Sequence, residues 1–250
     1  MMNNTVYIAS YPKTGSTWVK IIVNMIISPD SDDVIQSFQK EFPKDVSRFM
    51  FRNENKKFIK THLLPGHKRM NGHENDIAAA IIVNRHPLDI LLSSLNYSRV
   101  RGCSDYFLSN QIKTVEDIIA CGEIEYYINK LIENRGFSPY SGSSGELFSY
   151  VDTWQDHCAI HKIPTLLLRY EEMVNDPRRA IVDIHNFMEY PLSEVDKILD
   201  ASQTRTEKKG IFFWKKKSYN YREMLNPKLT EQFFRIFCKK LIKMGYDPHF

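Results

Sequence analysis

Val6 to Ser10 is a short β-branched and aromatic run that stops at Tyr11-Pro12-Lys13-Thr14-Gly15, after which Ser16 to Ile27 reads as a helix. A buried strand feeding a helix through so short a loop fits few architectures. The pattern recurs along the chain. Phe58 to Thr61 and Ala78 to Val83 are two more short strands, and Pro87 suits the first turn of the helix after the latter. Thr165 to Leu168 is a fourth strand, ending at Arg169-Tyr170. Asp176-Pro177 reads as an N-cap and first helical position, with Ile181, Ile184 and Met188 on one face beyond it. Ser193 can cap the next helix with Asp196 at the capping-box position. Pro227 to Lys243 is an amphipathic helix carrying Leu229, Phe233, Phe237 and Leu241. Apolar strands alternating with helices predict an α/β fold: one domain over residues 1–250, with a central parallel sheet flanked by helices. Ligands of such sheets sit at the carboxyl ends of the strands. The residues just past each strand, Tyr11 to Thr17, Thr61-His62, Asn84-Arg85 and Arg169-Tyr170, are therefore the ones to read for chemistry.

Composition excludes several classes. A chain of 250 residues with 42% hydrophobic content buries a full core without staples. Cys103, Cys121, Cys158 and Cys238 are widely spaced and form no C-x-x-C pair, so neither a zinc knuckle nor a disulfide framework is suggested. The first residues lack the basic and apolar regions of a signal peptide, and Ile21 to Ile27 is broken by Asn24 and too short to span a bilayer. A cytoplasmic protein with no membrane partner is expected. The net charge of +4 is mild. A nucleic-acid binder would have to rely on the clusters at Lys56-Lys57, Lys208-Lys209, Lys215 to Lys217 and Lys239-Lys240, and no recognition motif accompanies them. No nucleic-acid partner is expected.

The first loop carries the strongest signal. Backbone N–H groups at a helix start form an anion site. Lys13 adds a point charge, Ser16 and Thr17 add hydroxyls, and Gly15 lets the backbone approach a phosphate. This is not a Walker A loop, because the lysine precedes the only glycine. Tyr11-Pro12-Lys13-Thr14-Gly15-Ser16-Thr17-Trp18 instead resembles the Tyr-Pro-Lys-Ser-Gly-Thr-Thr-Trp loop of the sulfotransferases that use 3′-phosphoadenosine-5′-phosphosulfate (PAPS). The resemblance implies a P-loop-like nucleotide-binding core. It assigns Lys13, Thr14, Gly15, Ser16 and Thr17 to the 5′-phosphosulfate and Trp18 to the adenine.

Further segments extend the likeness. Arg85-His86-Pro87-Leu88-Asp89, with Ser93 two helical turns on, is similar to the family's 3′-phosphate site, with His86 where Asn is usual. Lys208-Lys209-Gly210 resembles the Arg-Lys-Gly segment that wraps the same phosphate from a late loop, and Arg205 is an alternative ligand there. Tyr170-Glu171-Glu172-Met173 resembles Tyr-Glu-Asp-Met, which brings Tyr170 to the adenine. Lys60-Thr61-His62 matches the family's Lys-Thr-His, whose histidine takes the acceptor's proton. The resemblance thus implies catalytic roles for His62, Lys13 and Lys60, with PAPS as co-substrate and no metal. The loop histidines His62, His67 and His73 lack the helical spacing of a zinc site.

The resemblance implies a small-molecule acceptor bearing a hydroxyl or amine. The segments Pro29 to Asn55 and Val100 to Ser149 are expected to wall its pocket with aromatics such as Phe38, Phe49, Tyr97, Tyr126, Tyr127, Phe137, Tyr140 and Phe148. Ser138 to Gly145 reads as a small, flexible lid. The Lys-Thr-Val-Glu-like stretch through which relatives dimerise is replaced by Lys217-Ser218-Tyr219-Asn220-Tyr221, so the oligomeric state stays open. Two rivals remain: a P-loop small-molecule kinase using ATP and magnesium, and a catalytically inactive nucleotide-binding relative.

Overall fold

A computed structural model describes residues 5–27, 36–37, 49–51, 54–70, 73–100, 114–189, 194–208 and 214–247. The strands are β1 (Thr5–Ser10), β2 (Gln36–Ser37), β3 (Phe49–Phe51), β4 (Glu54–Thr61), β5 (Ile77–Asn84) and β6 (Thr165–Arg169). They form one sheet in the order β2-β4-β1-β5-β6, with β3 off this path against β4. Every pairing along the path is parallel, and only β3 runs antiparallel to its neighbour.

The helices are α1 (Ser16–Ile27), α2 (Pro87–Val100), α3 (Val115–Ala120), α4 (Ile124–Asn134), α5 (Ser138–Ser144), α6 (Leu147–Ile160), α7 (Tyr170–Asn175), α8 (Pro177–Met188), α9 (Val195–Lys208), α10 (Asn220–Met224) and α11 (Pro227–Lys243). They cover both faces of the sheet. Side chains alternate along β1, so Tyr7 and Ala9 join one apolar layer with residues of α2, α4, α6 and α11. Val6 and Ile8 join the other, with residues of α1, α8 and α9. Burial on both faces explains why β1 and β5 read as continuous apolar runs rather than alternating ones.

The four strands expected from sequence are present, each within a few residues of its expected ends. The short strands β2 and β3 were not anticipated. The Asp176 cap is seen directly, its side chain accepting from Arg179 N at 2.9 Å. The cap expected at Ser193 lies outside the described residues. Where the sequence reads a small, flexible lid, the structure has a short helix, α5, capped by Gly145. A proline in its first turn favours the helix, and His67 Nε2 donates to Gly142 O at 3.1 Å.

Strand order decides where a ligand can lie. From β1 the chain passes to β4 on one side, then crosses to β5 on the other. The carboxyl end of β1 is therefore a topological switch point, where neighbouring connections diverge and leave a crevice. The register places Ala9 beside Thr61, Ser10 beside Val83, and Asn84 beside Arg169. All four strand ends thus stop at one level, with Tyr11, His62, Arg85 and Tyr170 just beyond them.

Candidate functional site

The loop between β1 and α1 is built to expose backbone donors. Lys13 has φ of 72° and Gly15 φ of 100°, so the chain turns sharply, the kind of turn from which successive N–H groups can form an anion nest. Thr14 pins the turn by donating from Oγ1 to Tyr11 O at 2.9 Å. The first bond of the α1 ladder runs from Trp18 N to Gly15 O at 2.8 Å, so the amides of Ser16 and Thr17 precede it and lack an intrahelical acceptor. Lys13 Nζ lies 4.0 Å above the ring of Tyr97, at the mouth of this loop.

His62 stands beside the loop. Its Nδ1 is 2.7 Å from Ser10 O and 3.2 Å from Ser10 Oγ. A carbonyl oxygen only accepts, so Nδ1 carries the hydrogen and Nε2 keeps its lone pair. Burial, then the Lys60 charge, push the His62 pKa down to about 3, with Lys13 adding to the effect. The ring is therefore neutral at physiological pH. Burial, reinforced by Lys20, likewise lowers Lys60 to about 8. Such depressed cationic groups mark a place where positive charge is concentrated and an anion would be welcome.

Arg85 forms the second positive centre. It is 8% exposed. Its Nη1 donates to Lys13 O at 3.2 Å, its Nη2 lies 3.7 Å from Asp89 Oδ2, and its guanidinium sits 4.1 Å over the Tyr170 ring. Ser93 is buried on α2, two turns past Pro87. Adjacent strands are about 4.8 Å apart, so the Arg85 site past β5 and the His62 site past β4, with β1 between them, are separated by about 10 Å. The first loop thus lies between Arg85 on one side and Lys60 with the neutral His62 on the other.

The sequence expects Tyr170 and Trp18 near a base. The structure packs them edge to face, with ring centroids 6.5 Å apart, and Tyr170 also closes against Gly15. Trp18 Nε1 and Arg85 Nε are buried donors without a hydrogen-bond partner. Two unsatisfied donors beside exposed loop amides suit a ligand rich in acceptors, as a phosphorylated nucleoside is.

Lys208 ends α9 rather than lying in a loop. Its side chain, with Lys209 and Gly210, lies outside the described residues. Arg205 is half-buried on the same helix. Tyr127, Phe137 and Phe148 are core residues, and Tyr126 is exposed, so fewer aromatics remain for an acceptor than the sequence suggests. Tyr97 and Tyr140 are half-buried, and Tyr140 meets the Tyr11 ring edge-on at 6.0 Å. No three His, Cys, Asp or Glu side chains gather among the described residues, and the side chain of His73 is not among them.

Three residues that lie within the quoted motifs but were given no role there make buried contacts distant in sequence. The Tyr11 hydroxyl accepts from Phe137 N at 2.9 Å, tying the first loop to the start of α5. Asp89 is fully buried and accepts from Tyr221 N at 3.0 Å. Glu171 accepts from His86 N at 2.9 Å and from the Tyr246 hydroxyl at 3.0 Å. An acid embedded in the apolar run Leu88-Asp89-Ile90-Leu91 is a signal that sequence reading could have taken up.

A family model for the sulfotransferase domain matches residues 3–245. The chain belongs to this sulfotransferase family. Among its relatives, an amine sulfotransferase of Oryctolagus cuniculus is 23% identical over 87% of this chain. A sulfotransferase 1B1 of Canis lupus familiaris is 25% identical over 78% of it. These alignments span 66% and 62% of the relatives' own lengths, so the chain matches a little less than two thirds of each. A mouse sulfotransferase solved in complex with PAP superposes over 97% of this chain and 86% of its own, with a TM-score of 0.63 at 17% identity. That likeness establishes the fold of the sulfotransferase family for this chain. No helix among the described residues is long and apolar enough to cross a membrane.

Proposed function

We propose that this chain transfers a sulfuryl group from PAPS to a hydroxyl or amine of a small molecule and releases 3′,5′-ADP. The observation that carries the reading is two neighbouring anion sites at the switch point of the sheet: the amide-lined loop with Lys13, and Arg85 just past β5. They suit a nucleoside that bears an anion at each end. Lys13, Thr14, Gly15, Ser16 and Thr17 would hold the 5′ end, Arg85 and Ser93 the 3′-phosphate, and Trp18 and Tyr170 the base. The buried, unpartnered donors of Trp18 and Arg85 support this fit. The PAP in the mouse complex is the same 3′,5′-diphosphate, which favours the assignment by analogy of fold.

PAPS supplies the sulfuryl group. His62 receives the proton of the attacking hydroxyl or amine at Nε2, the nitrogen left free by the Nδ1–Ser10 bond. Lys13 and Lys60 stabilise the negative charge that grows on the departing phosphate oxygen as the sulfur–oxygen bond breaks. A bound anion also opposes the two lysines that depress His62, so the ring becomes a better base once the donor site is filled. The acceptor lies on the His62 side, against Tyr97, Tyr140 and the 138–145 helix.

The test is incubation with PAPS carrying labelled sulfur and a panel of phenols, alkanols and amines, read by mass spectrometry. Labelled product with release of 3′,5′-ADP is expected. Binding of 3′,5′-ADP without transfer to any acceptor would favour the inactive relative. Transfer from ATP and magnesium would favour the kinase.

A further inference from the structure

Asp89 is a carboxylate with no exposed side-chain surface; its Oδ1 is hydrogen-bonded, while its Oδ2 has no hydrogen bond and only the charge of Arg85 beside it. Oδ2 faces Arg85 Nη2 at 3.7 Å across one turn of α2. Oδ1 accepts from Tyr221 N at 3.0 Å, and the backbone of Tyr219 also faces the carboxylate. Tyr219 sits at the N-cap position of α10 with φ of 55° and supplies no side-chain cap. A helix start needs acceptors for its first amides. Asp89 provides one from 132 residues away in sequence.

A buried, desolvated carboxylate is costly unless it is paired and hydrogen-bonded. Burial raises the Asp89 pKa, while Arg85 and the α10 amides oppose the rise. Removing the negative charge would by electrostatics alone make the neighbourhood more attractive to a phosphate. Its presence beside an anion site therefore calls for a geometric reason. The other contacts of Arg85 are the Lys13 carbonyl and the Tyr170 ring, and neither bears a charge that would orient the guanidinium.

We infer that Asp89 is a positioning residue for recognition of the 3′-phosphate. It fixes the Arg85 guanidinium and joins it to the first turn of α10, so that Arg85 and the chain entering α10 are set as one unit. The inference rests on the donor-site reading given above and assigns it a specificity-determining residue that does not touch the ligand.

The experiment compares 3′,5′-ADP with 5′-AMP by titration calorimetry, in the full chain, for wild type, Asp89→Asn and Asp89→Glu. Asn keeps the acceptor for Tyr221 N and removes the charge. Glu keeps the charge and moves it. The preference of wild type for 3′,5′-ADP should fall at least tenfold in either variant, with 5′-AMP affinity held within about threefold. Arg85→Ala should lose the same preference, and adding Asp89→Asn to it should lower the preference no further. An unchanged or increased preference in Asp89→Asn overturns the inference, as does an equal loss for both nucleotides, which a merely structural role would give. If Asp89→Asn does not fold, Asp89→Glu decides by the same criteria. A wild type that shows no preference between the nucleotides overturns the donor-site reading itself, and the inference with it.

Discussion

Replacing Gly15 with alanine should damage the proposed donor site through two separable effects. The first is conformational. Gly15 has φ of 100°, which an L-residue with a Cβ resists at a cost of about 1–2 kcal/mol. The second is steric. The new Cβ would lie 2.5 Å from Cδ2 and 3.0 Å from Cε2 of Tyr170, against an optimum near ~3.5–4.0 Å between carbons. Tyr170 must then withdraw by about 1 Å, and its ring is the platform under the Arg85 guanidinium at 4.1 Å. A desolvated cation–ring contact is worth about 1–2 kcal/mol, part of which is lost. The two effects together come to about 2 kcal/mol, or roughly a 30-fold change in an equilibrium constant. The strain appears partly as a lower unfolding midpoint of the free protein and partly as weaker 3′,5′-ADP binding, measured by thermal denaturation and calorimetry. Gly15→Ala combined with Tyr170→Ala should relieve the clash but not the strain. It should therefore bind better than the sum of the two single losses predicts. Wild-type affinity and midpoint in Gly15→Ala would refute the reasoning, because they would mean that neither the turn nor the Tyr170 contact is as described.

Three further outcomes follow from the same geometry. His62→Gln should lower the transfer rate by about 10²- to 10⁴-fold, as loss of a general base does, while 3′,5′-ADP affinity measured by calorimetry stays within about threefold. Acid stability should also respond to His62. Its folded pKa of about 3 lies below the ordinary 6.5, so between those values the unfolded chain binds the extra proton and stability falls as pH drops. Denaturant unfolding of wild type should therefore lose up to about 1.4 kcal/mol per pH unit in that window from this group, and His62→Gln should show a shallower slope. Lys60→Met should raise the unfolding midpoint of the free protein at pH 7, because it removes a desolvated charge that burial has lowered to about 8. The midpoint shift on adding 3′,5′-ADP should shrink in the same variant.

Much of the site was legible in the sequence because its parts are local. The first loop is nine contiguous residues, Ser10 to Trp18, whose composition alone announces a strand, an anion-binding turn and a helix start. Arg85 and His62 are equally readable as residues that follow apolar runs. What escaped depends on contacts distant in sequence. The Tyr11–Phe137 and Asp89–Tyr221 bonds join residues 126 and 132 positions apart, and no local pattern encodes them. The short helix at Ser138–Ser144 was not read from the sequence because its small residues carry no apolar period, whereas a proline in its first turn and a contact with His67 support it. For a related reason the sequence leaves its aromatic residues open between pocket and core. Phe148 and Phe237 stack at 4.0 Å inside the core, and composition does not separate a wall of a pocket from a wall of a core.

The most direct measurement is a crystal structure of this protein grown with 3′,5′-ADP. The account predicts the 5′-phosphate against the amides of Gly15, Ser16 and Thr17 with Lys13 beside it, and the 3′-phosphate on Arg85 and Ser93. Density for the nucleotide in any other place, or with its phosphates away from Lys13 and Arg85, would contradict it.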